Sequence, residues 1–335
     1  KTRPDSSRGG FRYYYQGIQP MGRRYAIIGT GAIGGFYGAC LQKAGLDVHF
    51  LLRRDYDYVK EHGLAISSTW GDFTLPQVNA YNQVKDMPPC DVVLIALKTT
   101  QNHLLPHLLP PLLKPGTVVI TLQNGLGVEP EIAAIVGEDI EVLGGLCFVC
   151  SNKIGLGQIH HLDYGQIQLG AYGNNHQPQG ITSTMRQIAA DFEQANIPIQ
   201  LAENLLLSRW KKLVWNIPYN GLSVVLDATT DAIMKDSHGY QLSEQLMREV
   251  VAGAAGYGLA IKESFIQKML DYTMKMKPYR TSMKIDYDCH RPLEVEAMFG
   301  NPMRAAQAVG VAVPKITMLY QQLKFLDARN IAIGD

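Results

Sequence analysis

From Arg24 to about Leu201 the chain alternates short apolar runs with stretches of helical periodicity. Tyr25–Ile28, Val48–Leu52, Val92–Leu97, Val118–Leu122 and Val142–Val149 read as strands, several of them unbroken runs of Val, Ile and Leu. Such runs suit parallel strands buried on both faces. The segment 157–170 reads differently, as a hairpin of two alternating segments around Asp163-Tyr164-Gly165. A helix over about Thr182–Ala195 and a strand at Ile197–Leu201 close the unit. Beyond Asn204 helical periodicity dominates and no strand pattern recurs. The pattern therefore predicts an α/β fold: a doubly wound parallel sheet over 23–203, followed by an all-helical domain over 204–335.

Residues 1–22 stand apart. Lys1 to Gln19 are rich in Arg, Ser, Gly and Tyr and lack the apolar core of a secretory signal. The expectation is a mobile upstream extension, Met21 being placed as an original start; a docking arm through Tyr13, Tyr14 and Tyr15 is the other reading. The 335 residues suit two domains, and 46% apolar against 18% charged residues is an ordinary globular balance. A net charge of +1 supplies no global field for nucleic acid or an anionic membrane. The longest apolar run, Val92–Leu97, is far too short to span a bilayer. Five cysteines (Cys40, Cys90, Cys147, Cys150, Cys289) form no even framework, so a reduced, cytoplasmic setting is expected.

Candidate chemistry begins at Gly29-Thr30-Gly31-Ala32-Ile33-Gly34, a G-x-G-x-x-G run directly after a strand. Ile33, Phe36, Tyr37, Cys40, Leu41 and Ala44 then recur at helical spacing, with Gly45 placed to end the helix. Gly29 permits the tight turn, Gly31 lets backbone approach a pyrophosphate, and Gly34 lets helix pack on strand, while the helix N-terminus offers N–H donors. A dinucleotide site is expected. NAD-specific sites place a carboxylate after the second strand for the ribose hydroxyl. Here that position reads Arg53-Arg54-Asp55, and a guanidinium suits a 2′-phosphate, which favours NADP(H). Asp55 could still reach the ribose and keeps NAD open.

Two further strand ends run into polar residues, Lys98-Thr99 and Gln123-Asn124-Gly125-Leu126-Gly127. Asn124 is a candidate for nicotinamide or substrate, against a plain Asn-Gly turn; Lys98 is a candidate ligand group or a solvated strand end. Lys212, Asn216 and Asn220, spaced i, i+4, i+8, line one face of a helix whose other residues are largely apolar, with Pro218 inside it. Lys211 falls about 100° round the helix, toward solvent. A buried ammonium with two carboxamides must find partners, in a catalytic site or in a structural network between domains. Cys147-Phe148-Val149-Cys150 is a C-x-x-C inside a strand-like run with no second ligand pair, which argues against zinc or redox use. Gly253, Gly256 and Gly258 fall in a helical run and suit close packing.

In this order the motifs resemble the ketopantoate reductase family from Met21 to the C-terminal region: Gly29 to Gly34, Leu97-Lys98-Thr99, Gln123 to Gly127, Trp210 to Asn220, and Leu293-Glu294-Val295-Glu296 before Gly310-Val311-Ala312-Val313-Pro314. The resemblance implies a Rossmann-type domain, a helical domain and NADPH-dependent reduction of a 2-keto acid between them. A homodimer is a candidate assembly that the motifs do not decide. It implies Lys212 as catalytic lysine, with Asn124 near nicotinamide and carbonyl. Glu294 would act near substrate and cofactor, bonding the substrate hydroxyl or orienting Lys212. Asn216, Asn220 and Ser282 would bind substrate, Arg53 the 2′-phosphate, and Lys98 would lie on the cofactor side. No metal is implied. Asn220-Gly221-Leu222-Ser223 replaces the family's Asn-Pro-Leu-Thr, and Thr230 and Tyr279 stand where the family uses asparagines toward substrate. A non-catalytic NADP-binding sensor and a β-hydroxyacid dehydrogenase of similar build are the rival readings.

Overall fold

The computed structural model describes residues 22–334; the expected leader, apart from Gly22, lies outside the described residues. Ten strands form one sheet: β1 (Arg24–Ile28), β2 (Asp47–Leu51), β3 (Leu64–Ser68), β4 (Phe73–Leu75), β5 (Asn79–Tyr81), β6 (Val92–Ile95), β7 (Val118–Thr121), β8 (Glu141–Gly155), β9 (Gln158–Ala171) and β10 (Ile199–Ala202). Between them lie α1 (Ala32–Lys43), α2 (Tyr56–His62), α3 (Leu105–Leu108), α4 (Val128–Val136) and α5 (Ser183–Gln194). The spatial order is β4-β3-β9-β8-β7-β6-β1-β2-β5, with β10 paired to β9.

From β8 through β7, β6, β1 and β2 to β5 every pairing is parallel, as the continuous apolar runs predict. Alternate residues of β1 feed opposite faces. Tyr25 and Ile27 join Phe36, Phe50 and Phe192 in one apolar cluster, whereas Ala26 and Ile28 join Val93, Leu105 and Ile132 in another. Helices thus cover both faces, and the chain winds outward from β1 in two directions. The resulting crevice lies at the carboxyl ends of β1 and β6, where open α/β sheets hold ligands.

The hairpin differs from expectation. Its turn lies at Leu156-Gly157, between β8 and β9, while Asp163-Tyr164-Gly165 lies within β9. There the register slips from Phe148↔Gln166 to Val149↔Tyr164, a bulge. Gly157 (φ +62°) and the pair Tyr164 (φ +61°) and Gly165 (φ +125°) all take left-handed conformations. A turn and a bulge use the same backbone chemistry, so the residue types alone do not tell them apart. The consequence is a β8 that continues well past Val149, and its far end folds back over the start of α1. Ser151 Oγ donates to the Ala32 carbonyl at 3.1 Å, and Ala65↔Gln158 pairing ties β9 to β3.

Past Asn204, whose side chain accepts from Leu207 N at 2.9 Å and caps the first helix, the described residues are helical: α6 (Leu205–Val225), α7 (Thr230–Lys235), α8 (Ser237–Gly256), α9 (Glu263–Lys275), α10 (Ser282–Asp288), α11 (Asn301–Ala308) and α12 (Pro314–Gly334). A π-helical turn at Glu296–Gly300 precedes α11. Trp210, Val214, Ile217, Met247, Phe299 and Leu323 anchor the third apolar cluster. A Cβ on Gly253 would meet the Trp210 ring at 2.9 Å, the close packing expected of that glycine. No described helix is long and apolar enough to cross a membrane.

Candidate active site

The glycine loop follows β1 directly. Gly29 has φ +95°, and a Cβ there would lie 2.6 Å from Leu97 N at the end of β6, so only glycine fits. A Cβ on Gly34 would come within 2.9 Å of Ala96 Cβ, which makes it the helix–strand packing glycine. Gly31 is different: nothing lies within 4 Å of where its Cβ would stand, and no side chain caps the helix it precedes. Open space in front of an uncapped helix N-terminus fits a pyrophosphate. Thr30 is buried and donates to the Leu51 carbonyl at 2.9 Å, locking the loop to the end of β2; Ala32 and Ile33 are half-buried in the first turn of α1.

Just past β2, Arg53 and Arg54 are exposed, and their side chains make no hydrogen bond or ion pair among the described residues. Asp55 does not remain available to a ribose. It is buried, and its Oδ2 accepts from Lys153 Nζ at 2.5 Å and from Gly157 N at 3.4 Å.

At the end of β6, Lys98 Nζ donates to Asp286 Oδ2 at 2.8 Å and to Glu294 Oε2 at 3.4 Å. Burial works to lower the Lys98 pKa, but Glu294 and Asp286 together outweigh it and raise the pKa above its ordinary value. Glu294 is buried, and its Oε1 accepts from Thr99 N at 2.8 Å and Thr99 Oγ1 at 3.0 Å. Of the two roles expected of Glu294, a direct hydrogen bond to Lys212 is not seen: the carboxylate is hydrogen-bonded to the Lys98-Thr99 strand end. Asp286, which no local pattern singles out, also accepts from Arg291 Nε at 2.9 Å.

Lys212 and Asn124 meet. Lys212 Nζ donates to Asn124 Oδ1 at 2.9 Å and to the Cys147 carbonyl at 2.7 Å, and lies 5.3 Å from the Phe148 ring centroid. Two of three ammonium N–H groups are thus engaged, leaving one for a substrate oxygen. Burial depresses the Lys212 pKa to about 8; Arg209 pushes it the same way, while Cys147 and Glu294 oppose it. Lys211 lies elsewhere, 5.9 Å from the Phe265 ring.

The loop carrying Asn124 is pinned from two sides. Arg209, one turn before Lys212 on α6, is 2% exposed, pairs with Glu129, and donates to the Gln123 carbonyl at 2.7 Å. Gln123 Nε2 donates in turn to Asn102 Oδ1 at 2.6 Å and the Leu97 carbonyl at 3.0 Å. On the other side Leu126 N donates to the Ala297 carbonyl at 2.9 Å, inside the π-helical turn. Gly125 has φ +97°, and a Cβ there would collide with that carbonyl. Asn-Gly is therefore a turn and a positioning device at once, and π-helical turns of this kind recur at functional sites.

On the next turns of α6, Asn216 is 7% exposed, and its carboxamide makes no hydrogen bond among the described residues. Asn220 Oδ1 accepts long bonds from Ser282 Oγ and Met283 N, each at 3.4 Å, which brings two of the three proposed substrate residues, Asn220 and Ser282, together. Thr230 is fully buried and its hydroxyl has no hydrogen-bond partner among the described residues; its backbone N–H donates to the Tyr279 carbonyl at 3.1 Å. Tyr279 sits near Trp215, ring centroids 6.5 Å apart, and burial beside Cys150 raises its hydroxyl pKa. Cys147 and Cys150 are free thiols, burial pushing Cys147 up to about 11. No group of three or more metal-ligating side chains occurs among the described residues.

Residues 25–174 match the family described as Ketopantoate reductase PanE/ApbA, and residues 204–327 match its C-terminal counterpart. The chain is 66% identical to a 2-dehydropantoate 2-reductase of Nostoc sp., over 92% of this chain and 96% of that protein. The structure superposes on a 2-dehydropantoate 2-reductase from Geobacter metallireducens with a TM-score of 0.86 at 42% identity, covering 90% of this chain and 99% of the other. A ternary structure of D-mandelate dehydrogenase with NADH and anilino(oxo)acetate shares the fold, with a TM-score of 0.79 at 22% identity over 92% and 99% of the two chains.

Proposed function

Because this chain belongs to the ketopantoate reductase family, oxidoreductases acting on CH–OH groups, we propose that it reduces 2-dehydropantoate to pantoate with NADPH in pantothenate synthesis. The observation that carries the reading is the Lys212 ammonium, depressed to about 8 and donating to Asn124 beside the carboxyl ends of the parallel strands. A donor with that pKa is an efficient general acid near neutral pH.

A bound dinucleotide supplies the hydride. The chain supplies the rest. The remaining N–H of Lys212 takes the substrate carbonyl oxygen and delivers its proton as negative charge develops there. Asn124 fixes the ammonium and shares in orienting the carbonyl. Asn216 brings an unpaired carboxamide, and Asn220 and Ser282 bring weakly engaged groups, for the carboxylate and hydroxyl of the substrate. Glu294 holds Lys98 and Thr99 at the end of β6, on the cofactor side. Exposed Arg53 and Arg54, unpaired among the described residues, beside an Asp55 already engaged by Lys153 favour a 2′-phosphate over a free ribose hydroxyl.

The test is turnover across a panel of 2-keto acids with NADPH and with NADH. The reading expects 2-dehydropantoate with NADPH to give the highest kcat/KM. A higher value for an aryl 2-keto acid would overturn the substrate, and absence of turnover across the panel would leave the sensor reading.

A further inference from the structure

We propose that Lys153 is a cofactor-discriminating residue that disables Asp55 as a ribose acceptor, an inference that rests on the NADPH reading above. Its position follows from the hairpin turn lying at Leu156-Gly157. Because β8 runs on to Gly155, Ser151 and Lys153, two apart and so on one strand face, both reach the start of α1. Ser151 Oγ donates to the Ala32 carbonyl at 3.1 Å, and Lys153 Nζ donates to the Thr30 carbonyl at 3.5 Å in the glycine loop itself.

The same ammonium holds Asp55 Oδ2 at 2.5 Å. The hairpin tip is fixed there by backbone: Gly157 N donates to Asp55 Oδ2 at 3.4 Å, and the Gly157 carbonyl accepts from Ala65 N at 2.8 Å. Asp55 is 4% exposed, while the Lys153 side chain keeps 31% of its surface free. A carboxylate following the second strand is the group that selects a free ribose hydroxyl. Here it is neutralised and turned inward by a cation from a strand 98 residues away. What the exposed surface then presents is positive: Arg53, Arg54 and the outer face of Lys153, a set that accepts a phosphate and offers no acceptor for a hydroxyl.

The experiment measures kcat/KM for NADPH and for NADH with 2-dehydropantoate in wild type, Lys153→Met, Asp55→Asn and the double variant, with Tm recorded for each. Wild type prefers NADPH. Lys153→Met releases Asp55, and the NADPH-to-NADH ratio falls by about tenfold or more, with a gain in NADH turnover contributing. Asp55→Asn retains the NADPH preference, and the double variant loses the NADH gain, because the carboxylate responsible for it is gone. Should Lys153→Met not fold, Lys153→Gln is read in the same way. An unchanged ratio in the Lys153 variant overturns the inference. So does an equal loss with both cofactors, which marks Lys153 as a contact to the shared pyrophosphate. A wild type that prefers NADH overturns the NADPH reading itself and is visible before any variant is made.

Discussion

Replacing Lys212 with methionine separates chemistry from stability in a way few substitutions at a buried site do. Depression of the Lys212 pKa from 10.5 to about 8 means that its charged form is disfavoured in the folded protein by about 3 kcal/mol. Methionine removes that penalty. It also leaves Asn124 Oδ1 and the Cys147 carbonyl, both only part-buried, without their donor, at about 1–2 kcal/mol each. The two effects nearly cancel, so Tm stays within a few degrees of wild type. Loss of the proton donor lowers kcat by about 100- to 10,000-fold. The pH dependence carries the sign: the donor is charged below its pKa, so kcat/KM for reduction is level below about pH 8 and falls about tenfold per unit above it. Oxidation of pantoate needs the neutral amine and rises through the same range. The assay is initial rate against pH, in both directions, at saturating cofactor. A wild-type profile with no break within about one unit of pH 8, or a methionine variant with more than about a tenth of wild-type turnover, would refute the reasoning.

Gly31→Ala adds a methyl where nothing lies within 4 Å, so Tm should hold within a degree or two while cofactor affinity falls by about tenfold or more, read by fluorescence titration. Gly125→Ala is the contrast: φ +97° and the collision with the Ala297 carbonyl predict a loss of about 2–4 kcal/mol in denaturant unfolding, together with reduced kcat as Asn124 moves. Arg209→Met strands the buried Glu129 carboxylate and should cost about 3–5 kcal/mol by thermal or denaturant unfolding; adding Glu129→Gln should recover much of that stability.

What the sequence disclosed depended on whether a feature was contiguous. The glycine loop and its flanking strand and helix were legible because turn, dipole and packing roles sit within six adjacent residues. Lys212, Asn216 and Asn220 were legible because one helix repeats them at a fixed period, and the structure does set Lys212 on Asn124. The β8–β9 turn was misplaced because Gly157 and the Tyr164-Gly165 bulge share the same left-handed chemistry. Lys153 is illegible for the same reason, since its reach to Asp55 exists only because β8 continues past it. The short strands β3 and β4 carry too little pattern to stand out, and their pairing comes from the hairpin that folds onto them. Asp286 and the Glu294–Thr99 bonds join positions 188 and 195 residues apart, so no local periodicity could reveal them.

The central claim is hydride delivery to the keto carbon of 2-dehydropantoate in this site. NADPH carrying deuterium on the transferred face of nicotinamide C4, turned over with 2-dehydropantoate by the purified protein, tests it by mass spectrometry of the product. The account predicts pantoate one mass unit heavier, with the deuterium at C2, formed by wild type and nearly abolished in Lys212→Met. Unlabelled pantoate, or no pantoate from the wild-type protein, would contradict it.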